Sequence, residues 1–285
     1  MCRIFGFRSV LQSGVHRSLV AAENALAVQS EQHPDGWGVA YYLAGAPHLI
    51  KSTATAIEDH IFARVSGIVA SETVLAHLRQ ATTGDINILN SHPFQFGSWV
   101  CAHNGQIWNY DANRDWLVEQ VAPNLRRYIL GSTDSEVLFF LVLTELSRRA
   151  DIHRRGTPIG DVCEALQRAI QVVRDRCDGE GDDEKSLLTV VITDGHTMVG
   201  YKGGKPLRFS TYKSTCLDRD NCPFLAPECE AVTTTGHVNH LILSSEDLQG
   251  QNVWEDLEDG AMIGVDWRMT LHRKDANGAL YRVSS

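Results

Sequence analysis

The sequence has no long apolar run and no basic leader. None of its hydrophobic stretches approaches the roughly 18 residues that a membrane-spanning helix requires. Its first residues also lack the positively charged region followed by an apolar run that marks a secretory signal. We therefore expect a cytoplasmic protein that does not enter the membrane.

Positive charge is also in short supply. The 285 residues include 26 lysines and arginines against 35 aspartates and glutamates, which gives a formal net charge of −9. Nucleic acids are bound mainly by clustered basic side chains, and here the adjacent arginine pairs are separated by acidic or apolar residues. The composition argues against nucleic acid as a partner.

The cysteines do not form a recognisable framework. There are seven, an odd number scattered along the chain, which fits reduced thiols better than disulfides. Cys216, Cys222 and Cys229, with His237 and His240, are of the types that bind zinc, but the two-residue gaps of common zinc sites are missing. We expect structural cysteines there, and neither a metal nor a cofactor.

Strand and helix patterns predict an α+β fold. Short β-prone apolar segments occur at 4–7, 39–43, 73–78, 99–102, 187–193, 197–202, 240–244 and 262–267. Helical spacing occurs over 19–27, 134–146 and 159–173. Strands on both sides of a helical block favour antiparallel sheets covered by helices, in one domain spanning 1–285. The Cys-, Pro- and Thr-rich stretch 213–237 is expected to be a long irregular excursion.

Cys2 carries the first chemical signal. Because cysteine is small, removal of Met1 is expected, and a thiol and a free α-amino group would then share one residue. An α-amino group has a pKa of about 7.7–8.0 and a thiol a pKa of about 8.5, so the amine can act as the base without a histidine. Position alone is weak evidence, since a cysteine entering a first strand is ordinarily a core residue.

Downstream segments add groups that suit one ligand. Arg79 and Thr82 follow a predicted strand, where a guanidinium can bind a carboxylate through two parallel hydrogen bonds. The Asn104 side chain and the Gly105 N–H follow another strand and can donate to an oxyanion, and Asp134 begins a predicted helix. A γ-glutamyl amide needs an arginine for its α-carboxylate, a carboxylate for its α-ammonium group, and two donors at its δ-carbonyl.

Six short motifs resemble the class II glutamine amidotransferases. They occupy residues 1–6, 35–38, 77–82, 91–94, 103–105 and 133–136, in the family's order, and the resemblance is clearest over 1–200. It implies an N-terminal nucleophile hydrolase with a four-layer αββα sandwich. It also implies Cys2 as the nucleophile, Arg79 binding the substrate carboxylate, Asn104 and Gly105 as the oxyanion hole, and Asp134 binding the α-amino group.

The histidines near these motifs allow a rival mechanism. His77, His92 and His103 would permit a cysteine–histidine dyad, but an N-terminal cysteine makes a histidine base unnecessary. We expect these histidines to orient loops or to form local hydrogen bonds. His103 lies beside the oxyanion donors and joins Thr82 as a substrate-binding candidate.

The motifs resemble most closely the stand-alone branch of the family. Residues 80–84 read Gln-Ala-Thr-Thr-Gly, where synthase-fused branches have Trp-Ala-Thr-His-Gly, and the remaining chain is too short for a synthase domain. That branch includes ergothioneine-pathway γ-glutamyl hydrolases and glutathione-degrading subunits. The leading hypothesis is hydrolysis of a small γ-glutamyl amide through a thioester on Cys2. The alternatives are a glutaminase subunit that supplies ammonia to a separate synthase partner, and a non-catalytic γ-glutamyl-binding protein.

Overall fold

The computed structural model describes residues 2–14, 17–22, 25–216, 219–220 and 222–283. Met1 lies outside the described residues, so its removal stays a prediction. The helices are α1 (Leu26–Gln29), α2 (His60–Ile68), α3 (Tyr110–Gln120), α4 (Pro123–Arg126), α5 (Asp134–Ser147) and α6 (Ile159–Cys177). Shorter helical turns cover Arg17–Ala21, Ser30–Gln32, Asp182–Glu184 and Pro227–Cys229.

The strands form two antiparallel sheets. They are β1 (Arg3–Gly14), β2 (Trp37–Leu43), β3 (Ala46–Ser52), β4 (Ala70–Leu78), β5 (Phe94–Phe96), β6 (Trp99–Gln106), β7 (Leu187–Thr193), β8 (Met198–Tyr201), β9 (Arg208–Ser210), β10 (His240–Ser244), β11 (Glu255–Asp256), β12 (Met262–Val265), β13 (Leu271–Lys274) and β14 (Tyr281–Arg282). The first sheet has the order β11-β9-β10-β1-β4-β2-β3, and the second has the order β14-β13-β12-β8-β7-β6-β5.

Three apolar layers stack these elements into a sandwich. Alternate residues of a strand point to opposite faces, so each sheet contributes to two layers. The layer between the sheets includes Ile4, Leu75, Val100, Val191 and Leu243. A second layer joins the first sheet to α1 and α2 through Phe5, Val39, Val74, Leu26 and Phe62. A third joins the second sheet to α3, α5 and α6 through Val190, Ile192, Leu117, Val142 and Leu166. The predicted α+β, four-layer αββα fold is confirmed.

Strand pairing brings the predicted catalytic segments together. Arg3 of β1 pairs with Leu78 of β4, so Cys2 lies beside the residues that follow β4. In the other sheet, Asn104 of β6 pairs with Thr189 of β7 near the same end of the sandwich. The site is therefore built where the two sheets and the start of α5 meet.

The structure also contains elements that the sequence patterns did not predict. These are β3, β5, β9, β11, β13, β14 and helices α2, α3 and α4. The helix predicted over 19–27 is instead a five-residue π-helical turn and the four-residue α1, with positions 23 and 24 outside the described residues. The described part of 213–237 contains the turn Pro227–Cys229 and two isolated bridges at its ends. No helix in the described part of the chain is long and apolar enough to cross a membrane.

Candidate active site

One narrow cavity gathers most of the predicted site residues. It has a volume of about 20 Å³, and its lining includes Cys2, Arg79, Thr82, His103, Gly105 and Asp134. Asn104 does not line it but is 2% exposed and lies between two lining residues on β6. Asn104 shares a face of β6 with Val100 and Ala102, which point into the layer between the sheets. Residues far apart in sequence thus meet at one site.

The Cys2 thiol is held by the backbone of Gln80. Its Sγ accepts a hydrogen bond from the Gln80 N–H at 3.4 Å and lies 3.5 Å from the Gln80 carbonyl oxygen, to which the thiol can donate. Burial raises the pKa of Cys2, although the Gln80 hydrogen bond and the positive charge of Arg79 oppose this. The thiol is protonated at neutral pH, so nucleophilic attack requires a base.

Arg79 is a buried cation whose hydrogen bonds go to neutral carbonyls. It is 3% exposed, and its guanidinium donates to the backbone oxygens of Asp85 at 3.0 Å, Thr83 at 3.1 Å and Gly84 at 3.2 Å. Burial lowers the pKa of Arg79, and the nearby acidic groups act in the opposite direction. Because none of these hydrogen bonds goes to a carboxylate in the described structure, the guanidinium can still pair with one from a ligand.

The Asp-Gly-Trp-Gly motif fixes the segment that carries Arg79. The Arg79 N–H donates to Gly36 O at 2.8 Å, and Asp35 Oδ2 accepts from the Ala81 N–H at 2.8 Å. A Cβ on Gly38 would lie 2.1 Å from the carbonyl oxygen of His92, so only glycine allows this close approach. The motif joins β2 to the residues after β4 and to the Ser-His-Pro-Phe segment.

Asp134 is positioned by backbone donors at the start of α5. Its Oδ2 accepts from the Ile107 N–H at 2.7 Å, and its Oδ1 accepts from the Ser135 N–H at 2.9 Å. Asp134 is 3% exposed and lines the same cavity as Cys2. A carboxylate at a helix N-terminus is stabilised by the helix dipole, so Asp134 suits the binding of an ammonium group.

The neighbouring motif residues secure the N-terminus of α5. The Thr133 side chain accepts a hydrogen bond from the Glu136 N–H, which is an N-cap interaction. The Glu136 carboxylate accepts from the N–H groups of Leu130 at 3.1 Å and Gly131 at 2.6 Å. This explains why Thr133 and Glu136 flank Asp134 in the motif.

His103 joins β6 to α5 and β7. Its Nε2 lies 2.9 Å from the Leu187 carbonyl and therefore donates to it, while its Nδ1 lies 2.8 Å from Ser135 Oγ and accepts from it. Burial lowers the pKa of His103, so the ring is neutral. With both nitrogens engaged by the protein, the predicted substrate-binding role of His103 stays a prediction, and its visible role is positional.

Gly105 is constrained by the same neighbours. A Cβ at this position would lie 1.8 Å from the Leu187 carbonyl oxygen and 2.8 Å from His103 Nε2. No larger residue fits without moving β7. The backbone at the predicted oxyanion donor is therefore fixed by its close contact with β7.

Some site residues escaped sequence reasoning. These are Gln80 through its backbone, Ser135, Ile107 through its N–H, and His92 as a residue that lines the cavity. Backbone contacts leave no signal in a sequence, and the signal for Ser135 and His92 was only their presence in recognised motifs. A second, larger cavity of about 390 Å³ shares Thr82 and Thr83 with the first and extends along residues 106–111.

The match to a family model identifies the class of protein. The model described as class-II glutamine amidotransferases matches residues 1–270. The chain belongs to this family. The predicted family, and the prediction of a class II amidotransferase-like enzyme, are confirmed.

Named relatives place the chain within that family. DUG3 of Saccharomyces cerevisiae is 33% identical over 178 residues, covering 58% of this chain and 50% of DUG3. YafJ of Escherichia coli is 26% identical over 247 residues, covering 83% of this chain and 85% of YafJ. The gamma-glutamyl-hercynylcysteine sulfoxide hydrolase of Mycobacterium tuberculosis is 32% identical over 117 residues, covering 38% of this chain and 50% of the hydrolase. The matched region thus spans about half the length of two of these relatives.

A solved structure supports the fold. A glutamine aminotransferase class-II domain protein from Silicibacter pomeroyi superposes with a TM-score of 0.62 at 21% identity, covering 96% of this chain and 99% of that one. At this identity the likeness extends to the fold and not to the substrate.

Proposed function

We propose that the protein is a cysteine-dependent amidohydrolase that cleaves a γ-glutamyl amide. The observation that carries this proposal is the presence of a buried cation, Arg79, and a buried carboxylate, Asp134, around the same cavity as the Cys2 thiol. A free glutamyl group carries an α-carboxylate and an α-ammonium group, which are complementary to these two charges. The name of the mycobacterial relative, a gamma-glutamyl hydrolase, agrees with this substrate class.

In the proposed reaction, Cys2 Sγ attacks the δ-carbonyl carbon of the glutamyl group. The thiol proton passes to the Cys2 α-amino group, which removal of Met1 would free, and then to the departing amine as the C–N bond breaks. Asn104 and Gly105 would donate to the oxyanion. Water then attacks the γ-glutamyl thioester, the C–S bond breaks, and glutamate and the free thiol form.

Substrate binding requires more room than the inner cavity offers. Its volume of about 20 Å³ suits a water-sized group, whereas the adjoining cavity measures about 390 Å³. Thr82 and Thr83 line both cavities, so we expect this segment to shift when a glutamyl group binds.

Glutamate release tests the proposal. Purified protein would be assayed with L-glutamine, glutathione and γ-glutamyl-p-nitroanilide, alongside Cys2→Ala and a control, Cys101→Ala, which alters a buried core thiol. We expect activity on at least one substrate in the wild type and the control and none in Cys2→Ala. Activity that survives Cys2→Ala would refute the proposed nucleophile. Release of glutamate only after a second protein is added would favour a glutaminase subunit with a synthase partner.

A further inference from the structure

We propose that His92 orients the water molecule that hydrolyses the γ-glutamyl thioester on Cys2. The proposal rests on the proposed function and assigns a positioning role to a side chain that the mechanism above leaves unused. Cys2, Gly105 and His92 line the same cavity, so a water held by the ring would share that cavity with a thioester on Cys2.

The His92 ring is buried and has polar atoms to spare. The residue is 4% exposed, and within the described structure neither Nδ1 nor Nε2 has a hydrogen-bond partner. Buried side-chain nitrogens are rarely left unpaired, because each unpaired group costs about 1–3 kcal/mol. A neutral imidazole offers one donor and one acceptor, and a water molecule can satisfy either.

Neighbouring groups hold the ring in place. Its centroid lies 4.1 Å from that of His77 and 4.6 Å from that of Phe94. The backbone of the same residue packs against Gly38, where a Cβ would lie 2.1 Å from the His92 carbonyl oxygen. Two ring contacts and one tight backbone contact therefore restrict the orientation of the His92 ring.

The electrostatics favour positioning over proton transfer. Burial lowers the pKa of His92 well below its ordinary value, and the nearby His77, His103, Lys51 and Arg79 contribute in the same direction. A ring whose pKa is lowered in this way is a poor base for the proton of water. In the proposed step the water oxygen bonds to the thioester carbon, its proton passes to the α-amino group of Cys2 and on to the departing sulfur, and His92 supplies only a hydrogen bond.

Formation of the thioester and its hydrolysis can be measured separately, which distinguishes a positioning role in hydrolysis from a purely structural role. His92→Phe keeps the ring shape but removes both nitrogens, and His92→Gln restores a donor and an acceptor. His240→Phe is the matched control, since His240 is 8% exposed and pairs with Ser9, far along β1 from Cys2. Covalent labelling by 6-diazo-5-oxo-norleucine reports attack by Cys2. Acid-quenched intact mass during turnover reports the thioester.

We expect His92→Phe to be labelled at the wild-type rate while glutamate release falls on the order of ten- to a hundredfold, since misplacing a reacting group has costs of this size. The thioester should accumulate, hydroxylamine should discharge it at the wild-type rate, and His92→Gln should regain part of the hydrolysis.

Labelling and hydrolysis that fall together, or hydrolysis that is unchanged, would overturn the proposal. If His92→Phe does not fold, His92→Met takes its place. Absence of labelling in the wild type would instead count against the proposed function.

Discussion

At the scale of single residues, the candidate site contains two buried side chains of opposite charge, Arg79 and Asp134. Arg79 and Asp134 are each 3% exposed, and in the described structure Arg79 donates to backbone carbonyls while Asp134 accepts from backbone N–H groups. None of these hydrogen bonds joins Arg79 to Asp134. Each side chain can therefore pair with a group of opposite charge on a ligand.

Asn104→Ala is expected to keep the fold and to lose activity. Removing one oxyanion donor costs about 2.7–4 kcal/mol in the barrier, which corresponds to roughly a 10²–10³-fold drop in kcat. The measurement is steady-state glutamate release with circular dichroism as the check on folding. Asn113→Ala is the control, because Asn113 is also buried but bonds within its own helix region, to Asn109 O. A near wild-type rate in Asn104→Ala would remove this side chain from the mechanism.

Arg79→Lys is expected to weaken recognition of the α-carboxylate. Lysine keeps the charge but loses the fork that can bind a carboxylate through two bonds, and a hydrogen bond to a charged group is worth about 1.5–3 kcal/mol. The wild type should therefore prefer L-glutamine over 4-aminobutyramide, which lacks the carboxylate, by about 10–100-fold in kcat/KM. In Arg79→Lys the ratio of kcat/KM for L-glutamine to kcat/KM for 4-aminobutyramide should be smaller than in the wild type. An unchanged ratio would show that Arg79 acts only on its own loop.

At the scale of elements, the recognised motifs are contacts between segments. The Asp-Gly-Trp-Gly turn holds the residues after β4, and the Thr-Asp-Ser-Glu start of α5 holds β6 through Ser135 and His103. Cys2, Arg79 and Asp134, which line one cavity, could be selected as candidates because their chemistry is visible in the residue type, and their roles stay predictions. Sequence analysis could not identify the N–H of Ile107 or of Gln80, because every residue except proline has one.

Gly38→Ala tests the contact between β2 and the Ser-His-Pro-Phe segment. The added Cβ would lie 2.1 Å from the carbonyl oxygen of His92. Overpacking of this kind typically costs about 1–3 kcal/mol, so the free energy of unfolding in urea should fall by that amount. Gly14→Ala is the control, since its Cβ would meet no atom of the described residues within 4 Å, and it should change stability by less than about 0.5 kcal/mol. Equal stabilities for the two variants would contradict the described packing.

At the scale of the whole molecule, the strand and helix patterns predicted antiparallel sheets covered by helices, and the family resemblance implied the four-layer sandwich. The strands at the edges of the sheets were not predicted. The long central strands such as β1, β4, β6 and β7 carry clear patterns, and the sequence located them. β5 has three residues, β11 and β14 have two, and β3 is exposed or half-buried throughout, so none has a strong apolar signal. Helix α3 buries only Tyr110, Asn113 and Leu117, which gives it a narrow apolar stripe.

Buried histidines should make the fold sensitive to acid. Burial lowers the pKa of His240 to about 4, whereas a histidine in the unfolded chain titrates near about 6.5. Between these pH values the unfolded state binds more protons than the folded state. The contribution of His240 to the free energy of unfolding is therefore complete above about pH 6.5 and is lost as the pH drops toward 4.

His240→Phe removes this one contribution. When the pH is lowered from about 7 to about 5, both proteins should lose stability. The loss in the free energy of unfolding should be about 2 kcal/mol smaller for His240→Phe than for the wild type. Urea titrations at the two pH values measure the difference. Equal losses in the free energy of unfolding for the two proteins would show that the pKa of His240 does not change on folding.

The central claim is that Cys2, at the N-terminus of the mature chain, is the nucleophile for a γ-glutamyl group. Intact-mass analysis before and after treatment with 6-diazo-5-oxo-norleucine, followed by peptide mapping, tests it directly. We predict that active protein lacks Met1 and gains a single adduct on Cys2, and that Cys2→Ala gains none. Active protein that retains Met1, or an adduct on any other residue, would contradict the account.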